Sequence, residues 1–305
     1  MIDIEQLGAV CRDAGAKLTP DVRLSELTTF KIGGPCAALV TLPDEPAAKT
    51  VFSYLRAEQI PYYLIGRGSN LLAADAGFDG VVVKLGGALA EGIRCADGIV
   101  TCGAGVTLQK LCQFALDHCL TGLEFAYGIP GSVGGAVYMN AGAYDGEFSQ
   151  ILLSVTLLDD AGEIRTVSAD ELELSYRHSI LMEKKWTVLT VSVVLEEGSR
   201  DEIRAKMQDL IGRRKSKQPL EFPSAGSTFK RPAGSFASKL IDECGLKGYT
   251  VGGAQVSEKH AGFVINRGGA TFADVMAVCQ HVQDTVRAQT GFVLELEPEI
   301  IGEFK

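Results

Sequence analysis

From Gly128 to Gly135 the chain reads Gly-Ile-Pro-Gly-Ser-Val-Gly-Gly, and Asn140-Ala141-Gly142-Ala143-Tyr144 follows shortly after. Glycine loses the most backbone freedom on ordering and proline lacks an N–H, so the first stretch is too rich in both to form a regular helix or strand. It can form compact turns in which small side chains leave backbone amides open to an anionic group. A second such segment, Gly66-Arg67-Gly68-Ser69-Asn70-Leu71-Leu72, follows a predicted strand. It lacks the third glycine of the Rossmann fingerprint, and no helix is predicted after it. Either segment alone reads equally as a pair of tight turns closing a sheet. Together they point to a bound anionic cofactor.

The surrounding chain interleaves strands and helices without an internal repeat. Apolar spacing over Glu45–Gln59 predicts an amphipathic helix, Pro61–Ile65 a strand running into the Gly66 loop, and Val81–Leu85 a short buried strand. Leu108, Leu111, Cys112 and Ala115 recur at helical spacing behind Thr107, whose hydroxyl suits an N-cap. Strands are predicted at Ile151–Asp159, Glu163–Val167 and Trp186–Leu195. Ser168 and Glu171 have the spacing of a capping box before a short helix, as do Ser199 and Glu202 before a helix ending near Lys215. Pro219 and Pro223 then predict a stiff linker and a domain boundary. Beyond them come a helix around Phe236–Glu243 stopped by Gly245, short strands near Ala254 and Phe263, a helix from Thr271 to Gln289, and a terminal strand Phe292–Glu297. This order predicts an α+β fold, not a regular doubly wound sheet.

Length and composition narrow the function. A chain of 305 residues has room for two domains, or three small ones, and so for a dinucleotide and a second ligand. At 46% hydrophobic and 22% charged it has an ordinary globular composition, and no apolar stretch approaches the roughly 18 residues of a membrane span. The start Met1-Ile2-Asp3-Ile4-Glu5 lacks the basic and apolar regions of a secretory signal, so a cytoplasmic protein is expected. A net charge of -9 disfavours nucleic acid as a partner; the basic run Arg213-Arg214-Lys215 with Lys217 also reads as a solvated helix C-terminus. Eight scattered cysteines without C-x-x-C and four histidines without H-E-x-x-H predict reduced thiols and no metal site. Neither a Walker lysine motif nor a G-x-S-x-G elbow is present, which removes support for ATP hydrolysis and for hydrolase chemistry.

Three further segments have the composition of active-site pieces. Tyr176-Arg177-His178-Ser179 offers a guanidinium suited to a carboxylate, or else to a structural ion pair. Ser227 lies among small residues in Ser224–Phe229, ahead of Lys230 and Arg231, as an anion-facing turn or as a backbone partner within that turn. Glu295, Glu297 and Glu299 alternate, so they would share one face of a strand, subject to the kink at Pro298.

In order along the chain, seven segments resemble one family, the UDP-N-acetylenolpyruvoylglucosamine reductases. They are Thr28–Gly34, Gly68–Leu72, Gly128–Ala136, Asn140–Tyr144, Ser175–Arg177, Ala225–Lys230 and Leu294–Glu297. The resemblance implies an N-terminal segment (1–24), an FAD-binding domain of the vanillyl-alcohol-oxidase (PCMH) type (25–197) and a smaller α+β substrate-binding domain (198–305) whose terminal strand returns to the active site. It also implies non-covalent FAD, NADPH as co-substrate, and reduction of UDP-N-acetylglucosamine enolpyruvate to UDP-N-acetylmuramate for peptidoglycan synthesis. The catalytic arginine falls on Arg177, the proton-donating serine on Ser227 and the glutamate on Glu297. FAD contacts fall on Gly66, Arg67, Gly68, Ser69, Asn70, Leu71, Pro130, Gly131, Ser132, Gly134, Gly135, Ala136, Asn140, Gly142 and Ala143. Substrate contacts fall on Lys217 and Arg231, with Gln255 and Asn266 as further candidates that could equally cap turns. Because Ser175–Lys185 runs straight into the strand at Trp186, the chain looks like the shorter subtype, without the loop whose tyrosine covers the substrate. Two alternatives stay open at this point. One is a flavin oxidase of the same fold acting on an alcohol or hydroxy acid, and the other is a non-enzymatic flavin- or nucleotide-sugar-binding regulator.

Overall fold

The computed structural model describes residues 2–302. The chain divides into two compact units, each gathered from three separate stretches. The first comprises Met1–Pro20, Ala37–Arg67 and Gly80–Arg213, and the second Asp21–Cys36, Gly68–Asp79 and Arg214–Lys305. Helices and strands are mixed in both, giving the α+β fold that the sequence pattern predicts.

The first unit contains most of a four-stranded sheet ordered Lys17–Arg23, Pro35–Leu42, Phe78–Leu85, Tyr62–Ile65, in which the last two strands are parallel. Val81, Val82 and Val83 are fully buried there. The helix Glu45–Ala57 begins where predicted because the Asp44 side chain accepts from Ala47 N at 2.9 Å and Pro46 occupies the first turn, where its missing N–H costs nothing. It buries Ala47, Ala48, Val51, Phe52 and Leu55 on one face. Each large side chain among these contributes about 1.5–3 kcal/mol by leaving water. The helix Leu108–Asp117 is capped by Thr107, whose hydroxyl accepts from Lys110 N at 3.2 Å.

A five-stranded antiparallel sheet follows, ordered Ile164–Ser168, Leu152–Leu158, Thr187–Val194, Ile99–Gly103, Ile93–Ala96. The first three of these strands lie within a residue of their predicted limits. Two local predictions change. Glu171 Oε2 accepts from both the N–H and the hydroxyl of Ser168, at 2.8 and 2.9 Å, but the segment makes only a 3-10 turn, Asp170–Leu172. The glycine-dense stretch also does contain a regular element: the helix Val133–Tyr138 starts inside it, capped by Ser132. Packing supplies there what glycine propensity withholds, since Val133, Ala136 and Val137 are all buried.

One buried charge ties down a loop of this unit. Glu124, 2% exposed, accepts from Thr121 Oγ1 at 2.6 Å and Gly122 N at 3.1 Å, and lies 3.5 Å from Lys206 Nζ. Burial pushes this carboxyl up, but the Thr121 hydroxyl, the backbone amides and the Lys206 charge together outweigh it and hold it below the usual range. A carboxyl lowered by folding stabilises fully above its unfolded pKa of about 4.5, and that contribution is lost as pH falls through the folded value. Glu124→Gln is therefore expected to cost about 1–3 kcal/mol at pH 7. In urea melts, the gap from wild type should close as the pH is lowered below 4.5; a gap that stayed constant would contradict the charge-based account.

The second unit has its own core, in which Phe30, Ile32, Leu72 and Phe229 pack with Ile241, Val264 and the helix Phe272–Thr290. That helix buries Val275, Val278, Cys279, Val282 and Val286, the 3–4 spacing of a single face. Its start is satisfied twice. Thr271 and Asp274 form a capping box, and Asp75 accepts from Phe272 N at 2.9 Å and Ala273 N at 3.3 Å. Strands Thr250–Val251, Ala254–Val256 and Val264–Asn266 form a small antiparallel sheet.

The terminal strand is displaced from its predicted place. Residues 292–297 make only an isolated bridge, Leu296 to Phe229, and the strand itself is Glu299–Ile301, paired in parallel with Leu71–Ala73. Pro298 has no N–H and breaks the ladder, so pairing resumes only after it. The three glutamates accordingly share no regular strand face: Glu295 is exposed, while Glu297 and Glu299 are half-buried.

Among the described residues no helix is long and apolar enough to cross a membrane. All eight cysteines, each among those residues, are free thiols.

Candidate active site

Within the first unit, the Gly66 turn, the 128–144 segment and the Arg177 turn meet. Ser132 Oγ accepts from Gly135 N at 3.4 Å, and Ser132 bridges to Thr107. Gly66 lies so close to this cap that a Cβ would come within 2.2 Å of Ser132 Oγ. Beside it, Lys84 is held below its usual range, first by burial and then by the charge of Arg67, so this end of the loop carries two cations.

Glycine density predicts several open amides in the 131–144 segment, and the structure spends most of them internally. Gly131 donates to Ile129 O, Val133 to Val106 O, Gly134 to Ala104 O, Ala136 to Ser132 O and Ala141 to Ala136 O. The glycines serve close packing: a Cβ on Gly134 would sit 2.9 Å from that of Ala104, and one on Gly142 would sit 2.7 Å from Gly146 O.

Asn140 is fully buried and links the turn to its neighbour, its Oδ1 accepting from Ser149 N at 2.9 Å and its Nδ2 donating to Ser175 O at 3.1 Å. Ser175 and His178 exchange backbone hydrogen bonds of 3.1 Å, which leaves Tyr176 and Arg177 at the tip of a tight turn. Arg177 adopts φ 55°, a left-handed conformation costing a non-glycine residue about 1 kcal/mol or more. Its Nη2 donates to Gly142 O at 3.3 Å, and its guanidinium lies 5.1 Å from the centre of the Tyr176 ring.

Within the second unit, the Gly68–Leu71 loop, Ser227 and Glu297 are brought together. Gly68 has φ 62°, and a Cβ there would meet Leu27 O at 2.2 Å. The N–H groups of Gly68, Ser69 and Asn70 find no protein acceptor among the described residues, so three successive donors remain for an anion. Thr29 secures the loop from behind, its N–H donating to Gly68 O at 3.1 Å and its hydroxyl to Ser224 O at 2.7 Å.

Ser227 is half-buried, one residue after Gly226 with φ 81°. The next residue, Thr228, is buried and fully engaged: its N–H donates to Gly262 O at 2.8 Å, its hydroxyl accepts from Val264 N at 2.8 Å, and its carbonyl accepts from Glu297 N at 3.0 Å. Lys230 N donates to Glu295 O at 2.9 Å. Ser227 and Glu297 thus lie on neighbouring segments held by main-chain bonds.

The four candidate substrate residues all belong to the second unit and differ in setting. Lys217 is exposed at the end of the helix Arg200–Lys217. Arg231 is exposed, its guanidinium 4.5 Å from the centre of the Phe236 ring. Gln255 donates to Gly248 O and Thr250 Oγ1 and accepts from Arg267. Asn266 donates to Phe30 O and accepts from Gly268 N and Ala270 N. Both side-chain amides are therefore engaged at both ends in holding turns. His260 is held below its usual range, first by burial and then by the charges of Lys247 and Lys217, and its Nδ1 accepts from Gly262 N at 3.2 Å.

Sequence reasoning named no role for Thr29 or Thr228. Thr29 stands in the Thr28–Gly34 segment, which the sequence marks only as a motif, and Thr228 adjoins Ser227, whose hydroxyl is the more evident proton donor. No cluster of three or more metal-ligating side chains occurs among the described residues. Within the second unit the open amides at Gly68–Asn70 suit a diphosphate, and within the first the cations Arg67 and Lys84 suit an anion, the chemistry that the diphosphate of FAD would need.

Residues 218–301 match the family model for the UDP-N-acetylenolpyruvoylglucosamine reductase C-terminal domain, and residues 36–168 match that for an FAD binding domain. The UDP-N-acetylenolpyruvoylglucosamine reductase of Clostridium perfringens (strain 13 / Type A) is 48% identical over 285 residues, 93% of each chain. That of Caldanaerobacter subterraneus subsp. tengcongensis is 47% identical over 279 residues, 90% of this chain and 91% of the other. The crystal structure of UDP-N-acetylenolpyruvylglucosamine reductase from Thermus caldophilus matches with a TM-score of 0.81 at 36% identity, covering 94% of this chain and 99% of that one. With both domain models matched and close to half the residues shared over nine-tenths of its length, this chain is an FAD-containing oxidoreductase and belongs to the UDP-N-acetylenolpyruvoylglucosamine reductase family.

Proposed function

We propose that the chain reduces the enolpyruvyl double bond of UDP-N-acetylglucosamine enolpyruvate with NADPH, forming UDP-N-acetylmuramate. The observation that supports this reading is the 3.0 Å bond from Glu297 N to Thr228 O, which joins the segment carrying Ser227 to the segment carrying Glu297. When bound, FAD carries the hydride between the nicotinamide and the double bond. Once hydride reaches C3, negative charge grows at C2 and spreads into the substrate carboxylate. Arg177 stabilises that charge, and a donor already fixed in a tight turn does so without reorganising. Glu297 acts protonated or sharing a proton, because an ionised carboxylate would repel the growing charge.

Ser227 gives its proton to C2 and regains one from solvent through a relay, since a free hydroxyl is a poor acid. Lys217 and Arg231, both exposed cations, bind the diphosphate of the substrate. Gln255 and Asn266 act by holding the turns they already bond. We place the FAD-binding function in 25–197 and substrate binding in 198–305, and the reaction in the cytoplasm, a reducing compartment suited to eight free thiols.

Mixing the purified holoprotein with NADPH and following the nicotinamide absorbance band tests the reading. Rapid oxidation is expected only after the enolpyruvyl nucleotide is added, with UDP-N-acetylmuramate as product. Oxidation that ignores this compound would overturn the assignment.

A further inference from the structure

We propose that Asn70 is a positioning residue for Glu297, coupling the anion-binding loop to the carboxyl group that serves the reaction; this rests on the role given to Glu297 above. The resemblance places Asn70 among the FAD contacts, yet its side chain turns the other way, with Nδ2 donating to Glu297 O at 3.2 Å. Its own carbonyl accepts from Glu299 N at 2.9 Å. Pro298, between the two glutamates, has no N–H to contribute. The stretch Glu297–Pro298–Glu299 therefore offers two N–H groups, and Asn70 holds one of them together with the Glu297 carbonyl. Thr228 holds the other at 3.0 Å. From there the chain continues in register with the loop's own extension, Glu299 opposite Leu71 and Ile301 opposite Ala73.

Asn70 thus faces two ways. Its backbone N–H belongs to the run of open donors, and its side chain grips the Glu297 peptide. An anion that orders the loop also orders Glu297. The donor is specific to an amide: aspartate at this place would set a carboxylate against a carbonyl oxygen.

The test uses full-length holoprotein carrying Asn70→Ala, with Asn70→Asp as a second variant of near-native volume. Both keep the backbone amide, so reduction of bound FAD by NADPH is expected to change less than about threefold; the new carboxylate of Asn70→Asp should weaken FAD binding at the anion loop, so both variants are read at saturating FAD. Reoxidation by the enolpyruvyl nucleotide is expected to fall about 10–100-fold, the usual effect of a small misplacement. Hydrogen exchange gives a readout that does not depend on turnover. In wild type, FAD should slow exchange at the Glu297 and Glu299 amides; in either variant the slowing at Glu297 should be lost, while that at Glu299, whose N–H bonds the retained Asn70 carbonyl, should persist.

Weakened FAD affinity with normal reoxidation at saturating FAD would overturn the proposal in favour of a plain cofactor contact. So would unchanged slowing at the Glu297 amide. Should Asn70→Ala not fold, the same outcomes read on Asn70→Asp decide. Glu297→Gln is measured alongside. If it reoxidises like wild type, the role assigned to Glu297 fails, whereas slow Glu297→Gln with normal Asn70 variants removes only the coupling.

Discussion

Ser227→Ala should leave the reduction of bound FAD by NADPH within a few-fold of wild type while slowing reoxidation by the enolpyruvyl nucleotide roughly 10³-fold. The asymmetry follows from where the proton is needed. Hydride arrival at the cofactor requires no acid, whereas completing the reduced substrate requires one at C2. The backbone around Ser227 should survive the change, because Thr228 and Glu297 are joined through main-chain groups and the Thr228 hydroxyl bonds Val264 N. Stopped-flow absorbance of the flavin separates the two half-reactions. Equal slowing of both would mean that the serine shapes the turn and gives no proton.

Gly68→Ala is expected to cost about 3 kcal/mol or more and to leave the purified protein largely free of flavin. Two penalties coincide at this residue: φ is 62°, and the new Cβ would lie 2.2 Å from Leu27 O and 2.9 Å from Thr28 Cα. Those are backbone atoms and cannot swing aside as a side-chain tip would. Gly291→Ala is the control, since Gly291 has φ 78° with no atom within 4 Å of its ideal Cβ. It should show only the conformational cost, about 1–2 kcal/mol. Thermal melts and flavin-to-protein absorbance ratios compare the two; similar melts would mean the loop yields at Thr28.

Local chemistry made much of this molecule readable in advance. Asp44 and Thr107 cap the helices that the apolar spacing outlines, and Thr271 caps the last long helix. The order of the glycine turns and of Arg177, Ser227 and Glu297 carried the family. What stayed hidden depends on partners distant in sequence. Nothing in Asn70 itself reveals a bond to residue 297, and nothing in Asp75 reveals that it caps a helix starting at Phe272. The helix at Val133 escaped because glycine's propensity argues against it, and only burial within the core overrides that preference. The terminal strand is misplaced from sequence because the apolar run Phe292–Leu294 followed by alternation to Glu297 is strand-like but says little about which groups pair. Proline at 298 was the available signal, and it decided where pairing starts.

The parallel pairing of Leu71–Ala73 with Glu299–Ile301 also bears on how the protein comes off the ribosome. The earlier strand of this two-stranded sheet emerges long before its partner, Glu299–Ile301, has been made. At ordinary elongation rates that interval is roughly 10–50 s. Throughout it, Leu71, Leu72 and Ala73, all buried in the finished protein, present an unpaired edge and apolar surface. Nascent chains stalled before residue 299 are therefore natural clients for chaperones that shield such edges, and deleting the strand Glu299–Ile301 should reduce soluble yield more than its three residues suggest.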